Sequence, residues 1–201
     1  MALTVDYYVS LNSPWTYLGA ARIEAMCARH GATLNIWPVD FGAVFAVSGG
    51  LPLPKRSPQR QAYRMMELKR WRDQVGVPLT LTPKYFPYDE LQSVPWVTAL
   101  REARGHAAAI KLAHAFLAAT WAEERNVADL AERRAIATAC GFDAAALEKL
   151  AADPKWLAMR EADTRAAIDR GVFGAPSFVI GEEIFWGQDR LEFVERRLAR
   201  G

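Results

Sequence analysis

The chain has 201 residues, of which 51% are hydrophobic and 24% charged, with a formal net charge of +2. That length allows one domain or two small ones around a sizeable core, and the near-balanced charge gives no reason to expect nucleic acid or an anionic membrane as a partner. The start MALTVDYYV lacks the features of a signal peptide, and no apolar run is long enough to cross a bilayer. Cys27 and Cys140 fit neither a CxxC motif nor a zinc spacing, and the three histidines show no ligand spacing. The expectation is a soluble cytoplasmic protein with two free thiols and no metal.

Val5 to Val9 alternates in a β-prone run and reads as a strand. Asn12 or Ser13 can cap a following helix, with Pro14 at its first position. Trp15, Leu18, Arg22 and Met26 continue at helical spacing until His30-Gly31. Thr33 to Val39 is a second strand, and Pro38 implies an edge or the end of pairing. Together these form a βαβ unit, normally parallel with a right-handed crossover. Residues 40–58, with Gly42, Gly49, Gly50, Pro52, Pro54 and Pro58, read as a long functional loop.

Helices are expected over Gln59–Val75, Val94–Arg104 and Ala107–Glu124, the last with Ile110, His114, Leu117 and Trp121 on one face. On that face His114 reads as a satisfied core histidine. Asn126, Asp143 and Asp153 would cap three more helices, ending at Gly171. Ser177–Ile180 and Glu183–Trp186 form a β-hairpin, and Asp189 caps a final amphipathic helix. The order βαβ, helices, ββα is that of an α/β, thioredoxin-like fold with a large all-helical insertion. Residues 1–56 and 171–201 would form the discontinuous thioredoxin-like domain and 57–170 the helical insertion.

Ser13 stands where a strand ends and a helix begins. Free backbone N–H groups and the positive end of the helix dipole meet there, which suits an anion such as a thiolate. In a thioredoxin-type order this turn would carry a reactive CxxC. Here it reads Ser13-Pro14-Trp15-Thr16. A hydroxyl cannot shuttle redox equivalents, but it can hydrogen-bond a ligand's thiolate and lower its pKa. Local sequence equally allows a plain helix cap. Ala175-Pro176, directly before the hairpin, reads as a cis-proline facing that turn, against a trans proline opening a strand. Gln188 and Asp189 after Trp186-Gly187 read either as a simple helix start or as a site for an ammonium and a carboxylate. Trp15 and Trp186 flank this region as an apolar substrate wall. Tyr17 could reach the pocket or pack in the core. Lys55, Arg56 and Arg60 are candidate cations for an anionic substrate.

SPWTYLG at 13–19, GVFGAPSFV at 171–179 and FWGQDRL at 185–191 together resemble the 2-hydroxychromene-2-carboxylate isomerases, relatives of the kappa-class glutathione transferases on a DsbA-like thioredoxin fold. The resemblance extends to DFGAVFAVSGGLPLP, ELKRW and YFPYDEL, and so covers nearly the whole chain. It implies glutathione as cofactor, with Ser13 activating its sulfur. Ala175 before Pro176 would pair with the cysteinyl part, and Gln188 and Asp189 would hold the γ-glutamyl end. Arg60 or Lys55 would meet the glycyl carboxylate. It further implies a homodimer acting on a small aromatic carboxylate, interconverting 2-hydroxychromene-2-carboxylate and trans-o-hydroxybenzylidenepyruvate in aromatic catabolism. A kappa-like transferase or peroxidase is the nearest alternative. A non-catalytic thioredoxin-like binding or chaperone module is the alternative of another class. The chain departs from the pattern at Ala46 and Gly50, where many members carry Lys and Asn.

Overall fold

The computed structural model of the chain describes residues 2–201. Four strands, β1 (Thr4–Val9), β2 (Thr33–Pro38), β3 (Ser177–Ile180) and β4 (Glu183–Trp186), form one sheet in the order β2-β1-β3-β4. Helix α1 (Pro14–Arg29) carries the crossover between β1 and β2, which pair in parallel, Val5 opposite Leu34 and Tyr7 opposite Ile36. Strand β3 runs antiparallel to β1, and the Gly181 turn returns the chain as β4. Tyr8 lies opposite Ser177. This register sets the C-terminal end of β1, and the turn that follows it, beside residues 174–176.

Two further groups of helices complete the molecule. Helices α2 (Phe41–Ser48) and α3 (Pro58–Val75) follow β2, then α4 (Val94–Arg104) and α5 (His106–Trp121). Helices α6 (Leu130–Ala139), α7 (Ala144–Ala151) and α8 (Lys155–Asp169) lead back to the sheet, and α9 (Leu191–Leu198) ends the chain. Val5, Tyr7, Ile36 and Phe178 from the sheet share one continuous core with Trp96, Leu112 and Phe116 of the helical segment. Tyr7 stacks on Phe178 with ring centroids 5.2 Å apart. Charged groups join the same segments at the core's margin: Arg101, almost fully buried, bonds Asp163 at 2.8 Å and lies over the Trp37 ring at 4.5 Å. The His106 ring accepts the Ile36 N–H through Nδ1 at 3.0 Å, satisfying a donor that β2 turns away from β1.

The fold differs from the sequence expectation in its details. Residues 40–58 are largely helical rather than a loop: Asp40 caps α2 by accepting the Gly42 N–H at 2.8 Å, and Gly49 ends it with φ 76°. The apolar run of α2 hid the usual two-faced pattern, while Phe41 and Val44 pack under the sheet's second core with Tyr8 and Val179. Asp129, not Asn126, caps α6, and Asn126 instead closes a turn onto the Ala128 N–H at 3.2 Å. Asp189 caps no helix; it sits inside a 3-10 turn, Gln188–Arg190, that precedes α9. His114 is not a satisfied core residue, since Nδ1 meets Glu24 at 3.2 Å while Nε2 has no partner. The βαβ unit, the hairpin and the cis Ala175–Pro176 bond are as read from sequence, and Phe86–Pro87 is cis as well.

Candidate active site

Ser13 is the N-cap of α1: its Oγ accepts the Thr16 N–H at 3.1 Å, and Pro14 takes the first helical position. An oxygen that accepts there keeps its own O–H free to donate. The remaining free N–H groups of the first turn and the helix dipole place positive potential at the same point. The turn is held from both sides. Asn12 donates through Nδ2 to the Tyr88 carbonyl at 2.7 Å and accepts the Tyr88 N–H at 3.3 Å. Glu90 Oε1 accepts from the Asn12 N–H at 2.6 Å and from the Ser10 hydroxyl. Burial pushes the Glu90 carboxyl above its ordinary 4.5, against the opposing pull of those two bonds and of Arg160. Arg160 Nη2 stands 3.6 Å from Glu90 Oε2 and Nη1 stands 3.8 Å from Asp40.

Ser13 opens into a cleft of about 880 Å³. Pro14 and Trp15 continue its α1 side, and Gly174 and Ala175 form the facing wall. Pro176 is buried behind, and its carbonyl accepts the Gly187 N–H at 2.9 Å. Among the described residues, no hydrogen bond within the chain engages either backbone group of Ala175. Phe173 and Trp186 make the lip, ring centroids 4.8 Å apart and 42% and 51% exposed. The indole lies so close to the backbone that a Cβ on Gly174 would come within 2.2 Å of Trp186 Nε1. The third wall is α2, with Phe41 and Phe45, then Arg56 just before α3, and the first turns of α3, with Arg60, Tyr63 and Arg64. The Phe45 ring fills the space beside Gly50, where a Cβ would come within 2.3 Å of it. A larger residue there has no room.

The structure thus brings Ser13, Trp15, Ala175, Trp186 and Arg60 to one cleft. It does not bring the others. The Tyr17 hydroxyl donates to the Pro78 carbonyl at 2.7 Å and its ring packs with Leu68, Leu79 and Trp121, away from the cleft. Lys55 is exposed outside the lining, and Arg56 takes the place beside it. The Gln188 side chain is 1% exposed, and Arg22 Nη1 donates to its Oε1 at 2.6 Å and to its carbonyl at 3.2 Å, so the side chain faces the scaffold. Asp189 lies three residues past Trp186 and outside the cleft lining, partly exposed, with Oδ2 3.2 Å from Arg190. Sequence reasoning missed Glu90 and the Asn12–Tyr88 clasp, which join residues far apart in the chain with no motif. It also missed Arg64, although its i, i+4 spacing from Arg60 on α3 was there to be read.

No group of three or more His, Cys, Asp or Glu side chains is placed to hold a metal among the described residues. No helix of the described residues is long and apolar enough to cross a membrane. A thioredoxin-like sheet with a cis-proline, and a serine at the head of the first helix, defines the class of protein. The DSBA-like thioredoxin domain family matches residues 4–199. A 2-hydroxychromene-2-carboxylate isomerase of Sphingobium xenophagum is 30% identical over 98% of this chain and 99% of its own length. The solved structure of a 2-hydroxychromene-2-carboxylate isomerase superposes with a TM-score of 0.82 at 25% identity, covering 98% of this chain and 95% of that one. The cytosolic disulfide reductase DsbM of Pseudomonas aeruginosa, solved with GSH, shares the fold with a TM-score of 0.67 at 19% identity, over 98% of this chain and 100% of that one. The chain belongs to the DsbA-like thioredoxin family and, within it, to the 2-hydroxychromene-2-carboxylate isomerases.

Proposed function

We propose that the chain is a glutathione-dependent isomerase that interconverts 2-hydroxychromene-2-carboxylate and trans-o-hydroxybenzylidenepyruvate, or a close aromatic analogue. The observation that carries this reading is the Ser13 hydroxyl at the head of α1, in one cleft with the unengaged backbone of Ala175. The fit to glutathione rests on the same features. Ala175 offers one N–H and one carbonyl to a peptide-like ligand lying alongside it, and Arg60 stands on the third wall for a carboxylate. Asp189 lies past the lip, where a carboxylate suits an ammonium group.

When bound, glutathione supplies a sulfur nucleophile that adds reversibly to the conjugated substrate, permits ring opening and bond rotation, and leaves unchanged. Ser13 donates its O–H toward the sulfur position, and the α1 N-terminus adds positive potential, so the anionic form is favoured there. Trp15, Phe45 and Phe173 give the aromatic substrate an apolar enclosure. We place the protein in the cytoplasm, because both cysteines are buried free thiols, and take its working state as a homodimer on the resemblance.

The test follows both substrate isomers and total glutathione together. Equilibration of the isomers that requires glutathione and consumes none supports the reading. Glutathione-independent interconversion overturns it. Net consumption of glutathione points instead to a transferase or peroxidase on the same site. Undiminished turnover in Ser13→Ala would leave only a binding module with an adventitious activity.

A further inference from the structure

Arg64 is the one cation on the third wall that the fold sets into the apolar end of the cleft. It is half-buried, and its guanidinium lies over the Phe86 ring at 5.7 Å and the Trp121 ring at 5.9 Å. Its hydrogen-bond contact within the chain is the Met65 sulfur at 3.7 Å, and no carboxylate among the described residues compensates its charge. Desolvation and the like charge of Arg56 push its pKa down to about 10. The two arginines before it in the chain are differently disposed: Arg56, ahead of α3, donates from Nε to the Leu51 carbonyl at 2.8 Å, and Arg60 is exposed at the rim. The acidic residue of the same wall, Glu67, is held by Arg70 at 2.5 Å. A desolvated guanidinium with no internal anion is a costly arrangement unless a ligand supplies the charge. A planar fork resting on aromatic rings also matches a carboxylate attached to a flat conjugated system.

We infer that Arg64 is the specificity-determining residue of the substrate subsite, pairing with the carboxylate of a flat aromatic acid whose ring lies among Trp15, Phe86 and the cleft's other apolar side chains. This rests on the proposed isomerase function for its choice of ligand class, but it makes a claim about binding that stands apart from turnover. It also divides the two acids of the reaction between two arginines: Arg60 at the rim for glutathione and Arg64 within for the substrate.

The test is equilibrium binding of 2-hydroxycinnamate and of 2-hydroxycinnamamide, the same ring and chain without the charge, read by tryptophan fluorescence with S-methylglutathione present. The wild-type chain is expected to bind the acid at least about tenfold more tightly than the amide, the size of one charged hydrogen bond. Arg64→Gln is expected to abolish that preference, and Arg64→Lys to restore part of it. The lysine variant separates loss of charge from loss of packing against Phe86 and Trp121. Retention of the full preference in Arg64→Gln, or no preference in the wild-type chain, overturns the inference. Because no turnover is measured, failure of the isomerase reading shows in the activity assay and failure of this inference shows here.

Discussion

On the β1–α1 side of the cleft, the backbone around Ser13 is fixed by hydrogen bonds to Tyr88 and Glu90 and backed by buried Leu11, Thr16 and Leu18. On the α2–α3 side, Phe41 and Val44 are the buried residues of one helix and Leu68 is that of the other. The first side holds one atom in place. The second presents long side chains, Arg56, Arg60, Tyr63 and Arg64, with much of their surface in solvent. Under the proposed function the chemistry falls on the rigid side and substrate choice on the adaptable one, a division that a cleft between a sheet and added helices allows.

The comparison breaks most sharply at Ser13. Ser13→Ala removes the hydroxyl that caps the head of α1 at the cleft, and glutathione-dependent turnover should fall by about a hundredfold or more. It also removes a helix cap worth about 1 kcal/mol, so thermal unfolding should come a few degrees lower. Loss of stability with full retention of kcat/KM would show Ser13 to be a cap alone.

Gly174→Ala tests the facing wall. Its methyl would displace the half-exposed Trp186 indole rather than the core, so the fold should hold while KM for glutathione rises by about tenfold. An unchanged KM would remove Trp186 from the binding region.

Glu90→Gln sharpens the contrast through pH. The folded Glu90 binds its proton more tightly than the unfolded chain does, because burial raises its pKa above 4.5. Its contribution to stability is therefore fully present below pH 4.5 and is lost as the pH rises through the higher folded value. The glutamine variant should show a flatter dependence of melting temperature on pH across that window. An identical slope in the two proteins would mean that the acid at 90 does not titrate there.

Arg22→Ala should have the smallest effect on activity, within about threefold, because Arg22 supports Gln188 behind the site. It should still cost about 1–3 kcal/mol by leaving the buried Gln188 oxygen unsatisfied. A tenfold loss of glutathione affinity would return Gln188 to the ligand site.

The sheet and the serine turn were legible because their signals are local. Alternation, a proline at a helix start and an X-Pro before a hairpin each report on neighbours in sequence. Helix α2 was not, since its apolar run shows no polar face and its glycines and prolines imitate a loop. Glu90 and Arg22 were invisible for a different reason: each acts on a residue more than seventy positions away, and nothing in their own surroundings marks them. Gln188 shows the limit of motif transfer. Its place in FWGQDRL is as the resemblance implies, but the side chain turns inward to a guanidinium that no motif includes.

The imidazole of His106 on the Ile36 N–H has a consequence for assembly. Strand β2 is the outer strand next to β1, and an uncovered edge invites another chain to extend the sheet. The ring caps one N–H of that edge, that of Ile36, and it can do so only while Nδ1 carries no proton. Burial and Arg101 hold its pKa below the ordinary 6.5, which keeps the acceptor in place at neutral pH. Acidification, by protonating this one nitrogen, would remove that acceptor and leave the Ile36 N–H without its partner.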